Sequence, residues 1–519
     1  MNGLAAQRRL DWLGDRETIR MVFLAVLVGT GAALAAVALR WLRAAFHDLL
    51  FIQGAQSLSS FGPYYFVLLP AFGGLAVGSL VVFLAQEARG AGVADVVLAV
   101  LARGSRMRLR VAGVKVVATS LVIGSGGSAG IEGPIIQIGS AIGSGIGQRP
   151  KLTEEELRIT LAGGAAAGIA ATFDTPLAGV FFALEVILVD YSSRSFGLVV
   201  ISAVTANVVA RLALGPALVL SIPLHNLVNP TELLLYLLLG ILAAAVGVAF
   251  THTLDRLEEL FSGWAAPDYL KPAVGGLAVG AIGLFFPQVF GLGYDTIEAA
   301  LGSRLPLALL AALLVLKLVA TSITVGSGSS GGVIGPSLYL GAMLGGAAGT
   351  IFHTLLPQAT ATPGAYALVG MAAVFAATAH APITAIFTIF ELANDYLIML
   401  PLMVACVTSV YVARRISPHT IYSIGLSRRG FQLHIGGTGL PPLPGMLFLN
   451  LHVQTDSGAA GRRVMELDLP PECVLISLRR RGREMITRGD TLIQPGDRVL
   501  AACAPQHEQL LRDLMEPGR

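Results

Sequence analysis

Charge is scarce in this 519-residue chain. Asp, Glu, Lys and Arg make up 13% of it against 54% hydrophobic residues, and mean hydropathy is +0.73. So little polar side chain excludes a soluble globular protein and points to a chain that crosses a membrane many times. The formal net charge of +3 is too small to suggest a nucleic-acid partner. Cysteine is scarce too: Cys406, Cys473 and Cys503 lie far apart without metal-ligand spacing, which excludes a disulfide framework and a zinc site. The apolar part carries no convergent nucleophile and base and no metal-ligand set, so neither an enzyme nor a cofactor is expected. The N-terminus does not read as a signal peptide. Arg8, Arg9, Arg16 and Arg20 precede the first long apolar run, and residues 1–17 read as a short amphipathic lead-in at a cytoplasmic N-terminus.

What the chain does carry is one stretch that occurs twice. KVVATSLVIGSGGSAGIEGP (115–134) and KLVATSITVGSGSSGGVIGP (317–336) are identical at twelve of twenty positions. Gly139, Gly143 and Gly147 then fall on Gly341, Gly345 and Gly349, spacing that lets helices pack closely. GGAAAGIAATFDTPLAGVFFALE (163–185) echoes VGMAAVFAATAHAPITAIFTIFE (369–391). Each copy predicts a helix, an unwound glycine loop at 124–130 or 326–332, and a helix start marked by proline. Irregular backbone inside a bilayer survives only where protein buries it or a cavity adjoins it. Helix starts favour anions, and broken segments at matching positions of two halves point to a transport site, so the pair reads as an anion site.

Apolar runs at 21–46, 63–85, 93–102, 157–171, 176–189, 197–214, 232–253, 272–286, 306–325, 335–352, 364–377, 382–393 and 398–413 give many short or tilted helices. An arginine-rich turn (Arg103, Arg106, Arg108, Arg110) reads as cytoplasmic. The transmembrane part is placed at 18–425, with halves of about 20–214 and 232–415, and a proline-rich linker at 426–445. Residues 441–519 hold 10 basic and 10 acidic residues, so 446–519 reads as a soluble domain. Its strands are expected at 447–453, 473–479 and 498–503, its turns at Arg481-Gly482 and 494–497, and a helix near 506–515. No Gly-rich nucleotide fingerprint occurs in it.

GIEGP (130–134), GVIGP (332–336), GAGVA (90–94) and IYSIGL around Tyr422, in that family's order over roughly 20–425, resemble the CLC chloride channel and transporter family. The resemblance implies an all-α polytopic membrane protein of two inverted-repeat halves, built from tilted and broken helices, followed by a small α/β cytoplasmic domain. It also implies chloride or a similar small anion as substrate, a homodimer with one anion path per subunit, cytoplasmic termini, and residence in the plasma (inner) membrane of a prokaryote. In the family, backbone N–H groups at two helix starts hold the anion, which carries over to Gly133, Val333, Ile334 and Gly335. A tyrosine hydroxyl closing the inner side carries over to Tyr422, and a gating glutamate to Glu132. The tail is similar to the C-terminal half (TrkA-C) of regulatory domains of potassium transport systems, which implies regulation and an unknown small ligand.

Two departures matter. The family's anion-binding serine falls at Ala91, so a weaker central site is expected, and its neighbouring proline falls at Ala94. Val186 stands where proton-exchanging relatives carry a second glutamate. Adjacent side chains on an α-helix are about 100° apart, so Glu185 cannot substitute for it. On that ground the sequence is read as a passive chloride channel gated by protonation of Glu132, with a chloride/proton antiporter as the alternative. Glu185 and Glu391 correspond in the repeat, and read as ties between helix ends. Lys115 corresponds to Lys317 in the same way, and Asp174 to His380.

Overall fold

A computed structural model describes residues 16–54, 62, 64–150, 152–215, 229–428, 447–454, 456–480 and 483–516. Most of the lead-in (1–17) and of the linker (426–445), and the Arg481-Gly482 turn, lie outside these. The chain divides into two compact units, Met1–Ile435 and Gly436–Arg519.

In the first unit the long apolar runs become helices that end where the sequence supplies a cap or a breaker. The first half contains α1 (Arg16–His47), α2 (Tyr65–Leu84), α3 (Val93–Ala102), α4 (Arg110–Gly124), α5 (Glu132–Gln148), α6 (Glu154–Phe173), α7 (Pro176–Phe182) and α8 (Ser193–Leu214). A π-helical turn, Ala183–Leu188, continues α7. The second half contains α9 (Leu233–Gly263), α10 (Lys271–Phe285), α11 (Tyr294–Leu301), α12 (Leu307–Gly326), α13 (Ile334–Leu355), α14 (Pro363–Ala379), α15 (Pro382–Ala393) and α16 (Met399–Ile416), and a short α17 (Ile424–Arg428) follows. Proline opens α7, α14 and α15, where its missing N–H costs nothing. Asp174 and His380 end α6 and α14 in the left-handed conformation, with φ of 61° and 53°. Seven of the described helices (α1, α2, α8, α9, α12, α13 and α16) are long and apolar enough to cross a membrane, and several others are shorter apolar helices.

Contacts between the halves come in reciprocal pairs. A Cβ on Gly74 would overlap the Pro272 carbonyl, and one on Gly276 the Pro70 carbonyl. Thr119 Oγ1 meets Ser330 Oγ at 3.0 Å, and Thr321 Oγ1 meets Ser128 Oγ at 3.1 Å. Residue i touching j′ while i′ touches j is the signature of a two-fold axis, and it relates the two inverted-repeat halves. The Gly139 and Gly143 series serves packing. A Cβ on Gly139 would overlap the Gly164 carbonyl and one on Gly143 the Thr160 carbonyl, and Gly341 and Gly345 meet Gly370 and Tyr366 in the same way.

The second unit is a four-stranded antiparallel sheet in the order β1 (Leu447–His452), β4 (Arg498–Cys503), β2 (Cys473–Arg480), β3 (Arg483–Ile486), followed by a helix, α18 (Glu508–Met515). Strand β3 adds to the three expected strands. Leu451, Leu475, Leu478, Val499, Leu511 and Met515 form part of its core. The turn at 494–497 closes with the Asp497 amide donating to the Gln494 carbonyl at 3.1 Å, and Arg480 pairs with the buried Asp497 carboxylate at 2.7 Å.

Candidate functional site

The site grows out of the two glycine loops. Gly126 and Gly328 turn the chain away from α4 and α12 at φ of 95° and 98°, values strained for any residue with a side chain. The loops then pair with each other: the Gly130 amide donates to the Gly332 carbonyl at 2.9 Å and the Gly332 amide to the Gly130 carbonyl at 2.7 Å. A third stretch joins them, because the Gly90 amide donates to the Ser329 carbonyl (3.1 Å) and the Gly331 amide to the Gly90 carbonyl (3.3 Å). In this way irregular backbone inside the membrane part finds partners. Lys115 and Lys317, both fully buried, complete the frame. Lys115 donates to the Ala88 and Gly90 carbonyls at 3.0 and 2.7 Å, and Lys317 to the Val289 and Gly291 carbonyls at 2.9 and 2.8 Å. Immediately after the paired glycines, α5 and α13 begin. Neither start has a side-chain cap, so first-turn N–H groups and the positive dipole ends of two helices meet at one place.

Glu132 lies there. It is 2% exposed and faces the backbone amides of Gly335 and of Glu132 itself. A Cβ on Gly335 would lie only 2.5 Å from Oε1, so the carboxylate of the first half rests on the helix start of the second. Oε1 accepts from the Tyr294 hydroxyl at 3.3 Å, and Oε2 has no hydrogen-bond partner among the described residues. Lys317 and Tyr422 are within electrostatic reach of it. A desolvated carboxylate is expensive unless donors face it, and here backbone amides and the Tyr294 hydroxyl do so.

The remaining residues expected at the site fall around this point. A Cβ on Gly133 would strike the Ala91 carbonyl and lie 3.2 Å from Gly332 Cα. Ala91 presents no hydroxyl. Val333 and Ile334 are buried at the turn into α13. Tyr422 is buried, with its ring edge-on to Phe182 at 6.4 Å. The Ile421 amide bonds the Thr378 carbonyl at 2.9 Å and anchors the tyrosine's turn to the end of α14. Val186 is half-buried on the π turn after Phe182. The angular step expected for an α-helix therefore does not hold there. The outcome for Glu185 is the expected one: it accepts from the Ile383 and Thr384 amides at 3.2 and 2.8 Å and from the Thr384 hydroxyl at 2.7 Å. Glu391 reciprocates on the Leu177 and Ala178 amides at 3.0 and 2.7 Å. Both carboxylates cap helix starts across the two-fold.

Sequence reasoning missed Tyr294. The signal was the repeat itself, since Gly291-Leu292-Gly293-Tyr294 falls on Gly90-Ala91-Gly92-Val93, and both copies have glycines at positive φ and start a helix.

The voltage-gated chloride channel family model matches residues 73–414, and the TrkA-C domain model matches 451–516. A protein of Ralstonia nicotianae described as a ClcB-like chloride channel protein is 34% identical over 421 residues, covering 79% of this chain and 97% of its own length. The H(+)/Cl(-) exchange transporter ClcA of Vibrio campbellii is 33% identical over 420 residues, covering 79% and 89%. Among solved structures, that of a slow cyanobacterial Cl-/H+ antiporter superposes with a TM-score of 0.72 at 26% identity, over 79% of this chain and 98% of the other. The chain is an integral multi-pass membrane protein that belongs to the voltage-gated chloride channel (CLC) family and carries a TrkA-C domain.

Proposed function

We propose that the protein exchanges chloride for protons, with Glu132 as the group that both ions use. The observation that carries this reading is the position of the Glu132 carboxylate, lying on the opposite helix start against the Gly335 amide. Ionised, it occupies the anion's place. A proton removes its charge, releases it from the helix dipole and lets chloride take the amides of Gly133, Val333, Ile334 and Gly335. The Tyr422 hydroxyl closes the inner side, and Ala91 leaves the central anion one donor short.

The passive channel expected from the sequence rested on Val186. Relatives named as H(+)/Cl(-) exchange transporters over about four fifths of the chain, and a solved antiporter of the same fold, favour the exchanger instead. The inner proton step then runs through water rather than through a side chain at 186. The channel stays as a second reading, because no titratable group stands at that position. A homodimer, cytoplasmic termini in a prokaryotic inner membrane, and a small ligand on the TrkA-C domain belong to the same proposal.

Planar-bilayer recordings under a pH difference separate the two. An exchanger's reversal potential departs from the chloride equilibrium potential in the direction set by the proton gradient. A reversal potential that follows chloride alone at every pH difference would overturn the exchanger.

A further inference from the structure

Away from the anion site, Arg106, Arg108, Arg110 and Arg149 line one cavity of about 440 Å³, together with Leu109 and Gly145. It lies where the start of α4 meets the end of α5. Arg108 is paired with Glu87, while Arg106, Arg110 and Arg149 make no ion pair among the described residues. With Arg108 held by Glu87, three arginines beside one hollow bring like charges together with no carboxylate paired to them among the described residues, an arrangement that an anion would relieve. Their planar forks match phosphate oxygens two at a time. The start of α4 adds to the field, because it has neither a side-chain cap nor an acidic residue in its first turn.

An exposed apolar stripe runs on from Leu109 of the cavity, with a groove at Gly113 where a side chain is missing. Leu109, Gly113 and Val117 follow each other at four-residue steps on one face of α4. Leu109 is 48% and Val117 37% exposed. A Cβ on Gly113 would meet nothing within 4 Å. The stripe is roughly 12 Å long at ~1.5 Å per residue, enough to seat part of an acyl chain beside a headgroup held by the arginines.

We infer that this cavity and groove bind one anionic glycerophospholipid, its phosphate among Arg106, Arg110 and Arg149 and an acyl chain along Gly113. The site also touches the transport machinery. Arg108 pairs with Glu87, whose carbonyl accepts from Gln137 of α5 at 2.7 Å, and this turn leads directly into the Gly90-Ala91-Gly92 loop.

The full chain in nanodiscs of phosphatidylcholine with a minority of phosphatidylglycerol tests this, with retained lipid read by native mass spectrometry. Wild type retains phosphatidylglycerol selectively. Arg106→Gln/Arg110→Gln lowers that retention on the order of ten-fold. Gly113→Leu fills the groove, leaves every arginine in place and lowers it as well. Undiminished retention in the double variant overturns the site. If that variant fails to fold, Gly113→Leu decides, because its open surroundings tolerate a side chain; unchanged retention there overturns the lipid. No selective retention of phosphatidylglycerol in wild type, with binding of inorganic phosphate that is lost in Arg106→Gln/Arg110→Gln, makes this a site for free phosphate and overturns the lipid assignment too.

Discussion

At the scale of single residues, the arrangement turns on one carboxylate resting on a helix start that is not its own. Three groups face Glu132 from different elements: Tyr294 from α11, Lys317 from α12 and Tyr422 beyond α16. Only Tyr294 gives it a side-chain hydrogen bond among the described residues. In Tyr294→Phe the ionised carboxylate loses a donor worth roughly 1.5 kcal/mol, about one pH unit. The acid-driven rise in chloride efflux from liposomes is therefore expected to begin at a higher pH than in wild type; an identical pH profile would remove Tyr294 from the gate. Glu132 was legible in the sequence because the repeat places Ile334 opposite it and so shows where symmetry is broken. Tyr294 was not singled out: the repeat marks its helix start, but its contact with a residue 162 positions away appears only on folding. A different residue-scale expectation concerns the tail. Cys503 faces Cys473 across the β2–β4 pair, and burial pushes its thiol up to about 11. The thiolate is the reactive form, so iodoacetamide labelling of Cys503 should be slow at neutral pH and accelerate as pH climbs toward that value. Fast labelling at neutral pH would contradict its environment.

At the scale of elements, Glu185 and Glu391 act as caps for helices of the other half. Each satisfies two first-turn amides, and losing such a cap costs about 1 kcal/mol. Glu185→Ala and Glu391→Ala are expected to lower the melting temperature by similar amounts and to leave chloride affinity unchanged. A loss of proton coupling without a loss of stability in Glu185→Ala would instead make that residue a proton station. The glycine loops and their following helices could be read from the sequence because Gly and Pro mark them and because they occur twice. Other elements could not. The helix α11 is only eight residues long, too short for a periodic signal. The π turn at Ala183–Leu188 is written in the same apolar residues as an α-helix. Strand β3 has four residues, two of them charged, and is defined by its pairing with β2.

At the scale of the whole molecule, reciprocal contacts make the membrane unit one body with a two-fold axis. The axis brings a helix start from each half to a common point, and Glu132 at one start with Ile334 at the other makes the site asymmetric. The tail has its own core and sheet, so removing residues 446–519 should leave a folded protein that still carries chloride. A well-folded deletion without flux would make the tail part of the path. The central claim is that one carboxylate serves both ions, and chloride-driven proton movement tests it most directly. Sealed proteoliposomes carry a chloride gradient while a potassium ionophore clamps the voltage, and proton movement is followed with a pH electrode. Wild type should drive protons steadily uphill, and Glu132→Gln should pass chloride with no proton movement. Chloride flux through wild type without any coupled proton movement, or coupling that survives in Glu132→Gln, would contradict it.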